Sequence, residues 1–215
     1  GEFDEVEQAR AKGIHIFSGY RYTDKLPASY DDDGVLLPRP FKIVRLGPVY
    51  LFTEDLDRAA AFYRETMGFT VTEGVIWRGE RCLFLRANTE HHSVALLPLK
   101  LRETLGLSPH SKCAAFGLQL ANYRQLRDAV NFFRKNGIEV TESLPHELHP
   151  GIEYSATVRG PGGHTLQLYY AMEQIGWEGK PRPQELRKPR KLDQWPEILN
   201  DASAYLGEAF SGPWA

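Results

Sequence analysis

The run TEHHSVALL, residues 89–97, sets two histidines side by side, His91 and His92, at the start of an apolar stretch. Imidazole titrates near neutral pH, so a histidine facing a pocket can carry a proton or bind a metal. Neighbouring side chains on a strand point to opposite faces. If the run is a strand, the pair cannot easily share one ion, and at most one of the two faces an interior pocket. Further histidines lie in HELHPG, where His146, Glu147 and His149 sit in a proline-flanked loop, and in GGHTL, where His164 reads as a turn residue. The HELHPG spacing does not match the helical HExxH pattern of zinc hydrolases. Cys82 and Cys113 belong to no CxxC pair, so no structural zinc site is expected. In HTLQLYY, Gln167 and Tyr169 alternate with Leu166 and Leu168 and should share one face. A glutamine inside a core needs hydrogen-bond partners, or it costs ~1–3 kcal/mol.

These residues must be positioned by a repeated unit. MGFTVTEG (67–74) echoes NGIEVTES (136–143), and each copy follows an amphipathic helix that itself follows a strand. GPVYLFT reads as the first strand, and EDLDRAAAFYRETM as its helix, with Leu56, Ala60, Phe62, Tyr63 and Met67 near helical spacing. AAFGLQL and ANYRQLRDAVNFFRKN are their counterparts, with Tyr123, Leu126, Val130 and Phe133 on one face. Gly68 and Gly137 stand where helix C-caps belong. Three strand candidates follow each helix: FTVTEGVIW, RCLFLRA and HHSVALLPL, then IEVTESL, EYSATVRG and HTLQLYY. The pattern predicts an α+β fold of two tandem βαβββ modules, residues 41–99 and 112–171, whose mixed β-sheets curl into a cup-shaped barrel. Residues 1–40 form an N-terminal extension or the remnant of a preceding domain, with GIHIFSGY as a possible strand. Residues 172–215 form a C-terminal extension with one late helix, WPEILNDASAYLGEAF.

Composition excludes several function classes. A net charge of -2 and 42% hydrophobic residues describe a core-forming chain, not an electrostatic nucleic-acid binder. The basic cluster KPRPQELRKPRK (180–191) is broken by prolines and reads as a solvated linker. No apolar run is long enough to span a bilayer. Scarce cysteine and the lack of a signal-like start point to a cytoplasmic location.

Tandem βαβββ modules resemble the vicinal oxygen chelate superfamily, which includes glyoxalases and bleomycin-resistance proteins. LGPVYLFTEDLDRAAAFYRETMGF, HHSVAL and GPGGHTLQLYY resemble the catalytic domain of type I extradiol ring-cleaving dioxygenases over about residues 41–171. That family holds Fe(II) or Mn(II) with two histidines and a glutamate. The resemblance puts those ligand positions on Pro48, Ala115 and Gln167, so no metal ligand and no cofactor is expected. It assigns His92 to the cavity as an acid–base group, leaving His91 pointing outward, and places His149 near a second cavity histidine. Thr157 falls on the family tyrosine. With Gln167, Tyr169 and Tyr50 it makes the expected substrate-binding set. Three functions follow: a metal-free protein that binds a small aromatic or phenolic molecule and uses His92 in acid–base chemistry, a non-catalytic binder, or a ring-cleaving dioxygenase with an unconventional site. A homo-oligomer is expected.

Overall fold

The computed structural model describes residues 7, 8, 11, 12 and 27–199. The chain divides into two compact units, residues 1–38 and 39–215. In the first, β1 (Tyr30–Asp32) and β2 (Val35–Leu37) form an antiparallel hairpin. Its turn residues, Asp33 and Gly34, both have positive φ, the backbone that a tight right-twisted hairpin requires.

The second unit holds one eight-stranded sheet. The first module contributes β3 (Ile43–Thr53), helix α1 (Leu56–Ala61), β4 (Thr70–Trp77), β5 (Glu80–Arg86) and β6 (Val94–Pro98). The short helix α2 (Leu101–Thr104) lies in the linker. The second module contributes β7 (Cys113–Leu120), α3 (Tyr123–Lys135), β8 (Val140–Thr141), β9 (Ser155–Arg159) and β10 (Thr165–Tyr169). The strand order is β4-β5-β6-β3-β7-β10-β9-β8. Each module sets its first strand parallel to its last, β3 to β6 and β7 to β10, and the two first strands join antiparallel in the middle. The repeat in the sequence is thus a repeat in topology.

Alternation along the strands sorts side chains to two faces. Leu51, Leu85, Leu96 and Val94 pack outward under α1, beside Ala60. Leu120, Leu168 and Val158 pack under Leu126 and Ala129 of α3. The opposite face holds Tyr50, Phe52, Trp77, Phe84 and Ala115, with Leu144 and Leu148. Edge strand β4 touches the turn at His146–Leu148 across from it, so the sheet curls around this inner cluster. Asp55 caps α1 by accepting from the Arg58 amide, and Asn122 caps α3 through the Gln125 amide.

The structure departs from the expected elements in four places. After Ala61 the first helix widens into a π-turn, Phe62–Thr66, closed by the Met67 amide on the Phe62 carbonyl. The wider turn shifts the phase, and Phe62 and Met67 are exposed rather than on the core stripe. His91 and His92 lie before β6, which begins at Val94, so strand alternation does not govern them. Within 180–191, Arg187 is turned inward rather than solvated. Of the late helix only 195–199 is described, and it is irregular; the rest, like GIHIFSGY, lies outside the described residues.

Candidate functional site

The segment between β5 and β6 explains how both histidines come to be buried. Its backbone leaves the sheet: the His91 amide donates to the Glu173 carbonyl at 2.9 Å, and Glu90 bridges to Gln174. The chain returns at Ser93, whose amide donates to the Leu85 carbonyl. His91 is 0% exposed and His92 1%. The expectation that His91 points outward is therefore overturned, because the segment is a crossing loop and not a strand.

The pair is the centre of a chain of polar side chains. His91 Nε2 lies 2.8 Å from Glu73 Oε1, and its Nδ1 lies 3.0 Å from His92 Nδ1. His92 Nε2 is 3.3 Å from the Tyr50 hydroxyl. Tyr50 donates to Gln167 Oε1 at 2.7 Å, and Gln167 Nε2 donates to Ser155 Oγ at 3.0 Å. At the other end the Arg187 guanidinium pairs with Glu73 at 2.7 Å. Phe84 flanks both imidazoles edge-on. Burial, then the neighbouring His91, His149 and Arg187, push the His92 pKa well below its ordinary value. Burial alone would raise the Glu73 carboxyl, but hydrogen bonds from His91 and Arg187 outweigh it and hold it below the usual value. Burial also raises the Tyr50 phenol well above its usual range, so Tyr50 keeps its proton.

Beside this chain lies a cavity of about 910 Å³. Its wall is built by Val75 and Ile76 of β4, the loop 146–154, the segment 170–173 and the strap 182–199. That volume suits a small organic ligand. Tyr154, Tyr170, Met172 and Ile152 give it an apolar and aromatic side, and Arg187 a cationic one. Arg187 Nε is buried with no hydrogen-bond partner among the described residues. His149 also lines the cavity. Its Nδ1 lies 3.2 Å from the Ile152 carbonyl, which can only accept, so Nδ1 carries the proton and Nε2 is left as an acceptor. Burial lowers the His149 pKa to about 4, so the ring is neutral at pH 7.

The structure brings Tyr50, His92 and Gln167 into direct contact and sets His149 apart on the cavity wall. Thr157 faces β8 instead: its hydroxyl bonds Thr141, and the Ser143 amide donates to it. Tyr169 shares the inner face with Gln167 but packs over Gly47, where any side chain would collide with its ring. Its hydroxyl is buried beside the Arg45–Glu90 ion pair. The sequence reading missed His91, Glu73, Ser155 and Arg187. The polar run ANTEHHS could have announced a loop before the strand; Glu73 and Arg187 carry no local signal.

A family model for the glyoxalase/bleomycin resistance protein/dioxygenase superfamily matches residues 45–168. The chain belongs to that superfamily. It is 24% identical over 134 residues to 2,2',3-trihydroxybiphenyl dioxygenase of Sphingomonas paucimobilis, a stretch covering 62% of this chain and 44% of that protein. Among solved structures it resembles catechol 2,3-dioxygenase, with a TM-score of 0.52 at 19% identity over 67% of this chain and 45% of the other. It also resembles a halotolerant catechol dioxygenase, with a TM-score of 0.51 at 19% identity over 71% of this chain and 50% of that one. These likenesses describe an extradiol-dioxygenase-like fold. The chain spans about half the length of these proteins or less.

The iron or manganese implied by the resemblance would need donors at positions 48, 115 and 167. Pro48 and Ala115 offer none, Pro48 packs against Gly117, and the Gln167 carbonyl already accepts the Tyr50 hydroxyl. Among the described residues no three histidine, cysteine or carboxylate side chains converge as a metal site. The residues present do not fit a two-histidine, one-carboxylate centre.

Proposed function

We propose that this is a metal-free, extradiol-dioxygenase-like protein that binds a small aromatic or phenolic molecule in the cavity at the mouth of the cup. The observation that carries the reading is His149: a neutral imidazole with Nδ1–H fixed on a backbone carbonyl and Nε2 free to accept, in the wall of a tyrosine- and methionine-lined cavity. A phenol hydroxyl is the donor that such an acceptor suits, and the ring finds an apolar wall. The names of the superfamily relatives, which are dioxygenases of trihydroxybiphenyl and catechol, support an aromatic ligand. Acid–base chemistry in such a site would use His149 at the ligand, with His92 acting through His91, Glu73 and Arg187 behind the wall.

A second reading is a binder without chemistry. It is favoured by His92, both of whose ring nitrogens are engaged inside the protein. The experiment that tests the proposal is titration with phenol, catechol and benzoate, with and without a chelator, on wild type and His149→Ala. Saturable binding that survives the chelator and weakens ~3–100-fold in the variant is expected, as for a lost hydrogen bond. Turnover in the wild type that falls in the variant separates an enzyme from a binder. Oxygen-dependent ring cleavage abolished by the chelator would refute the metal-free reading. A homo-oligomer is the assembly this reading carries, and sedimentation checks it.

A further inference from the structure

The hydrogen bonds between Glu73 and Ser155 cannot be assigned independently. Glu73 is held as a carboxylate, which only accepts, so His91 Nε2 carries a proton. Suppose His91 is neutral. Its Nδ1 is then bare and must accept from His92 Nδ1–H. His92 is then bare at Nε2 and accepts from the Tyr50 hydroxyl. Tyr50 must in turn accept from the Gln167 amide nitrogen, and the Gln167 oxygen accepts from Ser155. Every donor points toward Glu73.

Now add one proton, on His91. Both its nitrogens donate, one to Glu73 and one to His92 Nδ1. His92 carries its proton on Nε2 and donates to the Tyr50 oxygen. Tyr50 donates to Gln167 Oε1, and Gln167 Nε2 donates to Ser155. This is the orientation in which the Gln167 amide stands. With that orientation a neutral His91 would leave two lone pairs, or two protons, facing each other at one junction.

We propose that the chain Glu73–His91–His92–Tyr50–Gln167–Ser155 is a two-state switch set by one proton: uptake makes His91 an imidazolium, moves the ring proton of His92 from Nδ1 to Nε2 and turns over the Gln167 amide. The charged and titratable groups facing it are few. Glu73 comes from β4, Arg187 from the strap, His149 from the loop after β8, and Tyr169 from β10 beside Tyr50. Strand β5 brings the Phe84 ring. Arg187 ties the switch to the cavity, since it lines the cavity and holds the same Glu73 oxygen as His91. In the protonated state one more positive charge lies behind this wall, on His91. An anionic aromatic ligand there should then bind with proton uptake, a consequence that rests on the ligand reading above.

The test is ring-nitrogen NMR of histidine-labelled, unliganded full chain, in which the two neutral tautomers and the imidazolium are distinguishable. From about pH 9 downward, His92 should pass from the Nδ1–H to the Nε2–H tautomer with the same midpoint at which His91 becomes doubly protonated. In Glu73→Gln the shared oxygen still accepts from both Arg187 and His91 but carries no charge to favour the imidazolium, so the common midpoint should move to lower pH with the two changes still coinciding. A single His92 tautomer throughout the wild-type titration would overturn the proposal, and so would two different midpoints. The ligand consequence is read separately, by calorimetry of benzoate binding in two buffers of different ionisation enthalpy. Binding without proton uptake, alongside an intact tautomer change, would overturn that consequence alone. No benzoate or phenol binding at all would count against the ligand reading and leave the switch standing.

Discussion

Replacing Tyr50 with phenylalanine removes one oxygen from the interior of the cup and tests whether the polar chain is a single coupled unit. Tyr50 is 0% exposed, so no bulk water replaces its hydroxyl. That hydroxyl holds Gln167 Oε1 at 2.7 Å and His92 Nε2 at 3.3 Å. A net hydrogen bond is worth ~1 kcal/mol, and stranding the buried amide group costs a further ~1–3 kcal/mol, so Tyr50→Phe should destabilise by about 2–4 kcal/mol. For a chain of this size that is a fall of roughly 4–16 °C in Tm. Gln167→Leu strands the Tyr50 hydroxyl and the Ser155 hydroxyl, and should cost about the same. In the double variant both partners of the central bond are gone and the stranding is relieved. The two costs should therefore fall short of additivity by ~1–3 kcal/mol. Urea denaturation of the four proteins, with equal m-values, measures the cycle. Additivity to within ~0.5 kcal/mol would refute the reasoning, since it would mean that the two groups do not depend on each other.

His92 and His149 are both held neutral, with pKa values below that of the unfolded chain, which binds the proton more readily. Stability should thus fall as pH drops below about 6.5, by up to ~1.4 kcal/mol per pH unit per histidine, with the His149 part ending near pH 4; His149→Gln should flatten the slope in urea titrations by one histidine's share. Glu73, whose pKa is depressed, loses its contribution in the same direction at lower pH. Gly151 has φ +83° and its absent Cβ would stand 2.9 Å from His91 Cβ, so Gly151→Ala should cost at least ~1 kcal/mol and alter the His91 ring resonances, checked by denaturation and NMR. Arg187→Ala leaves the Glu73 carboxylate with His91 alone, and should destabilise by ~1–3 kcal/mol after allowing for partial exposure, with faster proteolysis within 180–191.

The repeat, the glycines that close the two helices (Gly68 and Gly137, both with positive φ) and the face shared by Gln167 and Tyr169 were legible because each is a local pattern. Alternation along β10 puts Gln167 inside whatever the rest of the chain does, and the demand that it find a partner is met by the Tyr50 hydroxyl. The site around it was legible only in part. His91 was misassigned because HHSVALLPL reads as one continuous strand, whereas its first residues bond to the 172–174 segment, far away in sequence. Glu73 sits in a strand that otherwise reads as plain alternation, and its two partners come from a loop and a proline-rich strap. No short-range rule pairs such residues; only the closing of the sheet on itself does. Arg187 illustrates the same limit. The prolines at 181, 183 and 189 fit the single 3-10 turn seen there, Gln184–Leu186, but they say nothing of one arginine turned inward.

The packing of the cup also decides where a ligand can go. Tyr50, Phe84, Ala115 and Gln167 are at most 1% exposed, and a phenol ring of the protein itself already lies against His92. A ligand that reached His92 directly would have to displace Tyr50, break its bond to Gln167 and reopen a close-packed interior. The cavity under the strap asks for none of this. There His149 lines the wall, with its tautomer fixed by the loop that carries it. The two histidines that the resemblance groups together thus take different places, His92 engaged at both ring nitrogens inside the cup and His149 in the cavity wall. His149 lines the cavity, whereas His92 lies behind it and is reached by charge through Arg187, Glu73 and His91 and through the neighbouring His149 itself.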